Sequence, residues 1–197
     1  MKKSIIAVLA GILLLANFAI AQQAVVPSVS STSNRVATYR AAISGITVAS
    51  SATDIFRLSG SATRTIYVKN ICIGGVKTTS GSLRVLLYKR STANADGTTV
   101  AITEHPLDST SGAATAVAVG YTANSTVGTG VLIGAKRTAW LSDTAAANVE
   151  PTCWNFADWG PNQFLVLRGV AQGVTLHLDS TTQTGGVASV EAEWMEQ

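Results

Sequence analysis

Histidine and cysteine are nearly missing from this chain of 197 residues, with two of each, and charged residues make up only 13% of it. Two cysteines cannot by themselves form a four-ligand zinc centre or a disulfide scaffold. Two histidines leave little material for imidazole-based metal or acid–base chemistry. The charged share is roughly half that of an ordinary globular domain. An apolar share of 47% nevertheless excludes a disordered tail. Catalytic signatures are missing too. No Gly-x-Ser-x-Gly elbow, metalloprotease helix motif or phosphate-binding loop occurs anywhere in the chain. The residues therefore assign no catalytic group, no metal ligand and no cofactor, and the chain reads as non-enzymatic.

What is present begins with an export pattern. Met1-Lys2-Lys3-Ser4 is a short basic start, followed by an apolar run from Ile5 and small residues at Ala19 and Ala21. This is the layout of a signal peptide cleaved before Gln22. Asn17 interrupts the run, whose unbroken part falls short of the roughly 20 residues that span a bilayer. The reading is a signal peptide over 1–21, an exported mature protein (periplasmic, extracellular or cell-surface) and no membrane attachment after cleavage. Removing 21 of 197 residues leaves 176 and takes Lys2 and Lys3 from the 14 basic residues, so 12 face 11 acids. The basicity of the full sequence belongs largely to the leader. Arg84, Lys89, Arg90, Lys136 and Arg137 are too dispersed for a nucleic-acid footprint and read as edge charges that discourage sheet-to-sheet association.

Residues 22–34, rich in Ser, Gln and Val with Pro27, read as a short extended arm. Residues 35–197 read as one domain of short β-rich runs separated by Gly, Ser, Thr and Asn. Ten strands are expected, over 36–43, 54–58, 63–73, 82–90, 98–103, 114–121, 130–141, 163–168, 174–179 and 187–194. Val174, Leu176 and Leu178 alternate with Thr175, His177 and Asp179, and Ala188, Val190, Ala192 and Trp194 with Ser189, Glu191 and Glu193. Such alternation marks strands with one core face and one wet face, as antiparallel sheets have. Between 63 and 73 the parity slips, with Ile66 and Val68 on one phase and Ile71 and Ile73 on the other, which predicts a β-bulge near Lys69-Asn70. The only helical candidate, 145–149, is about one turn long. The expected fold is all-β, a single antiparallel sandwich of jelly-roll or immunoglobulin-like type.

Few residues invite a chemical reading. Cys72 and Cys153 are either a single bridge or two buried thiols, and an exported protein meets an oxidising compartment. His177 sits on a polar strand face where an exposed imidazole needs no special reason, and His105 lies in a loop before Pro106. Asn94-Ala95-Asp96-Gly97 has calcium-like residues but no Glu at the required distance, and reads as a hairpin turn between 82–90 and 98–103. Trp154, Phe156 and Trp159 fall within six residues. They form either a ring platform for stacking on a sugar or an aromatic plug closing one end of the core. Trp140 and Trp194 fall on core parity.

The string from Leu86-Leu87-Tyr88-Lys89-Arg90 to Asn94, together with Tyr121-Thr122-Ala123-Asn124, Trp154-Asn155-Phe156, Val166-Leu167-Arg168-Gly169 and Glu193-Trp194, resembles a group of uncharacterised proteins found among tailed-phage and prophage genes. The resemblance covers roughly residues 40–194. It implies a β-rich virion-associated or decoration protein whose partners are other subunits, of itself or of a virion or cell surface. It brings no active-site residues with it. An exported adhesin, filament subunit or glycan-binding module is the alternative that the leader favours.

Overall fold

Chain direction reverses so often after residue 36 that twelve strands fit into the domain. The computed structural model describes residues 36–48, 51–142, 150–159, 164–179 and 185–197. The leader, the arm and the one-turn helical candidate over 145–149 lie outside them. The strands are β1 (Ala37–Thr47), β2 (Thr53–Ser59), β3 (Thr65–Lys77), β4 (Gly81–Arg90), β5 (Thr99–Ala101), β6 (Glu104–Pro106), β7 (Val117–Tyr121), β8 (Gly130–Ser142), β9 (Thr152–Asn155), β10 (Leu165–Arg168), β11 (Gly173–Leu178) and β12 (Val187–Glu196). A single 3-10 turn, Ala157–Trp159, follows β9. The described chain is all-β, and no helix among these residues is long and apolar enough to cross a membrane.

Two antiparallel ladders make up one curled sheet. The first runs β6-β1-β12-β3, with β10 and β9 end to end along the far edge of β3. The second runs β5-β7-β2-β11-β4-β8. They join where the ends of β3 and β8 pair in parallel, Val76 opposite Leu141 and Lys77 opposite Ser142. The inward faces of both ladders enter a single apolar core. Ile66, Val68, Ile71 and Ile73 of β3 and Ala188 to Trp194 of β12 line one side, and Leu83, Val85 and Leu87 of β4 and Val174 to Leu178 of β11 line the other. The alternation read in β11 and β12 is thus the division between core and outside.

The parity slip in β3 is a bulge. Asn70 pairs with Glu193 and Val68 with Trp194, so Lys69 is the extra residue. One additional residue turns the strand's phase over, and both Val68 and Ile71 reach the core. Lys69, displaced outward, forms an ion pair with Glu193.

Three expectations are corrected. β4 and β5 do not form a hairpin: β5 pairs with β7, and the chain from 91 to 98 lies along 122–129 instead, with a bridge between Ala95 and Thr126. The turn chemistry was read correctly, since Asp96 and Gly97 both take positive φ (57° and 80°), but its partners are distant in sequence. His105 belongs to a strand, β6, paired with Arg40 of β1. β9 is a further strand, too short to show a period.

Gly75 sits where the backbone closes tightly on a buried tryptophan. A methyl group there would lie 2.5 Å from the Val187 carbonyl oxygen and 2.8 Å from Trp140, a contact with backbone and a buried ring that neither can relieve. Gly75→Ala is expected to lower stability by about 1–3 kcal/mol, the usual cost of overpacking. Denaturant midpoints of the two proteins measure it.

Candidate functional site

The outward face of β11 carries Thr175 and His177, flanked by β2 on one side and β4 on the other. Alternation alone cannot put both Asp54 and Arg57 of β2 on that face, because they are three residues apart. A second bulge does so. Leu176 pairs with Phe56 and His177 with Asp54, leaving Ile55 as the extra residue. Asp54 and Arg57 then both lie outward, beside His177 and Thr175. β4 contributes Tyr88 and Arg90 to the same face, opposite Thr175 and Gly173.

Asp54 is the centre of this face and is fully buried. Its Oδ1 accepts hydrogen bonds from Arg90 Nη2 at 2.7 Å and, across 2.9 Å, meets His177 Nδ1. Its Oδ2 accepts from Asn94 Nδ2 at 2.9 Å and Arg90 Nε at 3.2 Å. Burial pushes the carboxyl pKa up. The hydrogen bonds from His177, Arg90 and Asn94 and the Arg90 charge outweigh it and hold the group below its ordinary value. The Arg90 guanidinium lies 4.3 Å from the centre of the Tyr88 ring and gives Nη1 to the Gly128 carbonyl. Arg57 donates through Nη2 to the carbonyl of Ala171 at 2.9 Å. Gly173 and Gly130 leave room for the two arginines: a methyl at either would sit 2.5 Å from Arg57 Nε or 2.8 Å from Arg90 Cδ.

The roof over this face is the pair of segments 91–98 and 122–129. Asn94 pins it, donating to Asp54 while its Oδ1 accepts from the Gly128 amide at 3.0 Å. Backbone bonds between Ala95 and Thr126, in both directions, and from Ser91 to Thr129 close the two segments on each other. An aspartate on an imidazole Nδ1 is also the orienting half of a hydrolytic triad. Among the described residues, however, His177 Nε2 has no hydroxyl or thiol at hydrogen-bond distance, and the neighbouring Tyr88 meets the imidazole edge-on. All of the acceptor capacity of Asp54 goes to holding its surroundings. The arrangement acts as a fastener between β2, β4, β11 and the roof, and His177, expected on an open polar face, is one of its parts.

A second buried acid works in the same way. Glu196 of β12 accepts from the Thr115 and Ala116 amides at 3.0 Å, the Thr115 hydroxyl at 2.6 Å and Trp194 Nε1 at 3.0 Å. It anchors the loop before β7, and among the described residues no cation pairs with it. The Tyr39 hydroxyl, whose pKa burial and the nearby Glu196 charge both raise, reaches the Gly112 carbonyl.

Of the residues singled out in the sequence, Cys72 and Cys153 form a disulfide. They face each other directly across β3 and β9, which decides between the two alternatives. Trp154 and Phe156 are only 5% and 1% exposed and belong to the core. That burial is what an aromatic plug requires, and it leaves these two rings no open face for a sugar. The backbone of Trp159 ends the 3-10 turn, and its side chain lies outside the described residues. Lys136 covers Trp154, 5.5 Å from its ring, and bonds the Cys153 carbonyl. His105 is exposed and takes no part in either buried cluster. The Asp54 network went unread in the sequence because its members come from four separate stretches.

No family model, no curated protein and no solved structure matches the chain.

Three outcomes follow from the geometry. Since the folded-state pKa of Asp54 is depressed, its stabilisation is complete above the ordinary carboxylate range, near about pH 4, and is lost as pH falls through the lower folded value. Unfolding free energies from pH 7 to pH 2 should show this loss, and Asp54→Asn should flatten it. Asp54→Ala at pH 7 strands Arg90 and is expected to cost about 3–5 kcal/mol. Replacing both cysteines by serine opens a loop with a sequence separation of 81. On the chain-entropy account it should lower stability by up to about 4.5 kcal/mol, read from denaturation of the oxidised wild type against the double variant.

Proposed function

We propose that this chain is a non-enzymatic structural or surface protein, a phage-type virion-associated or decoration β-sandwich that acts by packing against other subunits. The observation that carries the reading is where the chain leaves its apolar side chains. Val131, Leu132 and Ile133 of β8 are 67%, 47% and 37% exposed, three in succession on one strand. An apolar run of this kind outside a core is characteristic of a surface that meets another protein. The buried polar clusters support the same reading, since Asp54, His177 and Glu196 are occupied in fastening loops to the sheet. The two ladders that share one core support the sandwich description, of jelly-roll or immunoglobulin-like type.

The Cys72–Cys153 bridge fits an oxidising compartment. Together with the leader, it favours the second reading, an exported adhesin, filament subunit or glycan-binding module. Fractionation separates the two. The protein, detected by mass spectrometry in cells carrying the gene, is expected in density-purified phage particles, with a mature N-terminus at Gln22. Recovery in the envelope or medium alone, with particles free of it, overturns the virion reading in favour of the exported one.

A further inference from the structure

We propose that two copies of this chain pair along the free edge of β8, antiparallel and centred on Ile133. The proposal rests on the subunit-packing reading and names the partner as a second copy. On one edge β8 pairs with β4 from Gly130 to Trp140. On the other it meets β3 only at Leu141 and Ser142. Among the described residues, the backbone of 130–135 therefore has no strand partner on that side. The side chain of Lys136 crosses to the Cys153 carbonyl and closes the gap from there on.

Edge strands that remain single are normally blunted by charge. This one carries none between 130 and 135, and its exposed large apolar residues are Val131, Leu132 and Ile133. A third bulge contributes, because Leu87 pairs with Gly134 and Tyr88 with Leu132, so that Ile133 is unmatched on the β4 side. Apolar side chains are thereby presented on three successive residues.

The charges come directly afterwards, at Lys136 and Arg137, and they select the register. With Ile133 on the two-fold axis, Ile133 faces its own copy, Leu132 faces Gly134 and Val131 faces Ala135. Lys136 then falls opposite Gly130 and Arg137 opposite Thr129, so no like charges meet. Sliding toward the C-terminal end brings Lys136 opposite Arg137 twice over, and parallel pairing in register sets Lys136 against Lys136. Like charges directly opposed across strands are destabilising. The uncharged half of the strand is thus complementary to itself in the antiparallel sense only. Pairing about a two-fold axis also uses the edge up, giving a closed dimer instead of an open stack.

The test uses the processed, disulfide-bonded protein in sedimentation at graded concentrations. The wild type is expected to show a reversible monomer–dimer equilibrium, and Ile133→Lys, which opposes two cations on the axis, should weaken association at least tenfold. Cysteine pairs keep the test decisive if that variant fails to fold. Ile133→Cys should cross-link to its own copy under mild oxidation at least tenfold more than Val131→Cys. Mixing Val131→Cys with Ala135→Cys chains should restore the cross-link, located by peptide mapping. A wild type that stays monomeric throughout, or equal cross-linking at 131 and 133, overturns the proposal. A monomer still found in particles or on the cell surface overturns this pairing and leaves the subunit-packing reading standing. A β8-linked dimer in no larger assembly does the reverse.

Discussion

A carboxylate with no exposed surface, held against an arginine that is almost as deeply buried, is the constraint on which one side of this sheet depends. β2 is buried on both faces for six consecutive residues although it belongs to an antiparallel ladder, whose outer face is usually wet. The outer side is dry because a roof of two irregular segments covers it. Those segments have few apolar residues with which to hold themselves down, and Asn94, Arg90 and the Gly128 carbonyl attach them to Asp54. A buried ion pair is weak evidence for net stability, because desolvation offsets much of the attraction. Its effect here is to select one arrangement. A roof displaced by one residue would leave a buried charge with donors missing.

Three of the four bulges among the described residues fall where strict alternation would send a side chain to the wrong face. Lys69 in β3 rephases a core strand, Ile55 in β2 brings Asp54 and Arg57 to one side, and Ile133 in β8 adds to an exposed apolar run. Only the first was legible in the sequence. Its signature was a change of parity between two pairs of isoleucine and valine within a strand long enough to show both phases. In β2 the same slip is written in Asp54-Ile55-Phe56-Arg57-Leu58, but five residues with three apolar members read equally well as a strand buried on both sides. Val131-Leu132-Ile133 shows a limit of another kind: whether a neighbouring strand exists to cover a continuous apolar run is a property of the topology.

The all-β class and the core positions of Trp140 and Trp194 followed from local pattern, since burial of a strand face leaves a period in the chain, whereas the sequence left Trp154 and Phe156 open between core and platform. What did not follow was every feature defined by a distant partner. β6 and β9 have three and four residues and exist as strands because β1 and β3 lie beside them. The turn at 94–97 was recognisable from Asn, Asp and Gly, yet nothing near it said that Asn94 would reach a carboxylate forty residues earlier. His177 was misjudged for the same reason. Its strand parity was right, and the roof over that face was invisible.

Scarcity of charge takes on a different meaning once the charges are placed. Asp54 and Glu196 are buried and fasten loops, Glu104 holds the Ala118 amide, and Glu191, Glu193 and Asp179 are paired with Arg40, Lys69 and Arg84. With Asp108, bonded to Thr110, and Asp96, bonded to Thr126, that makes eight of the 11 acids in the chain. Little unpaired negative charge is left among the described residues to draw a cationic partner across solvent. On the proposed pairing, contact depends on shape, backbone edges and apolar side chains, all short-ranged. A surface of that kind would discriminate partners by register, and β8, apolar for six residues and doubly basic immediately after, carries a register in its own sequence.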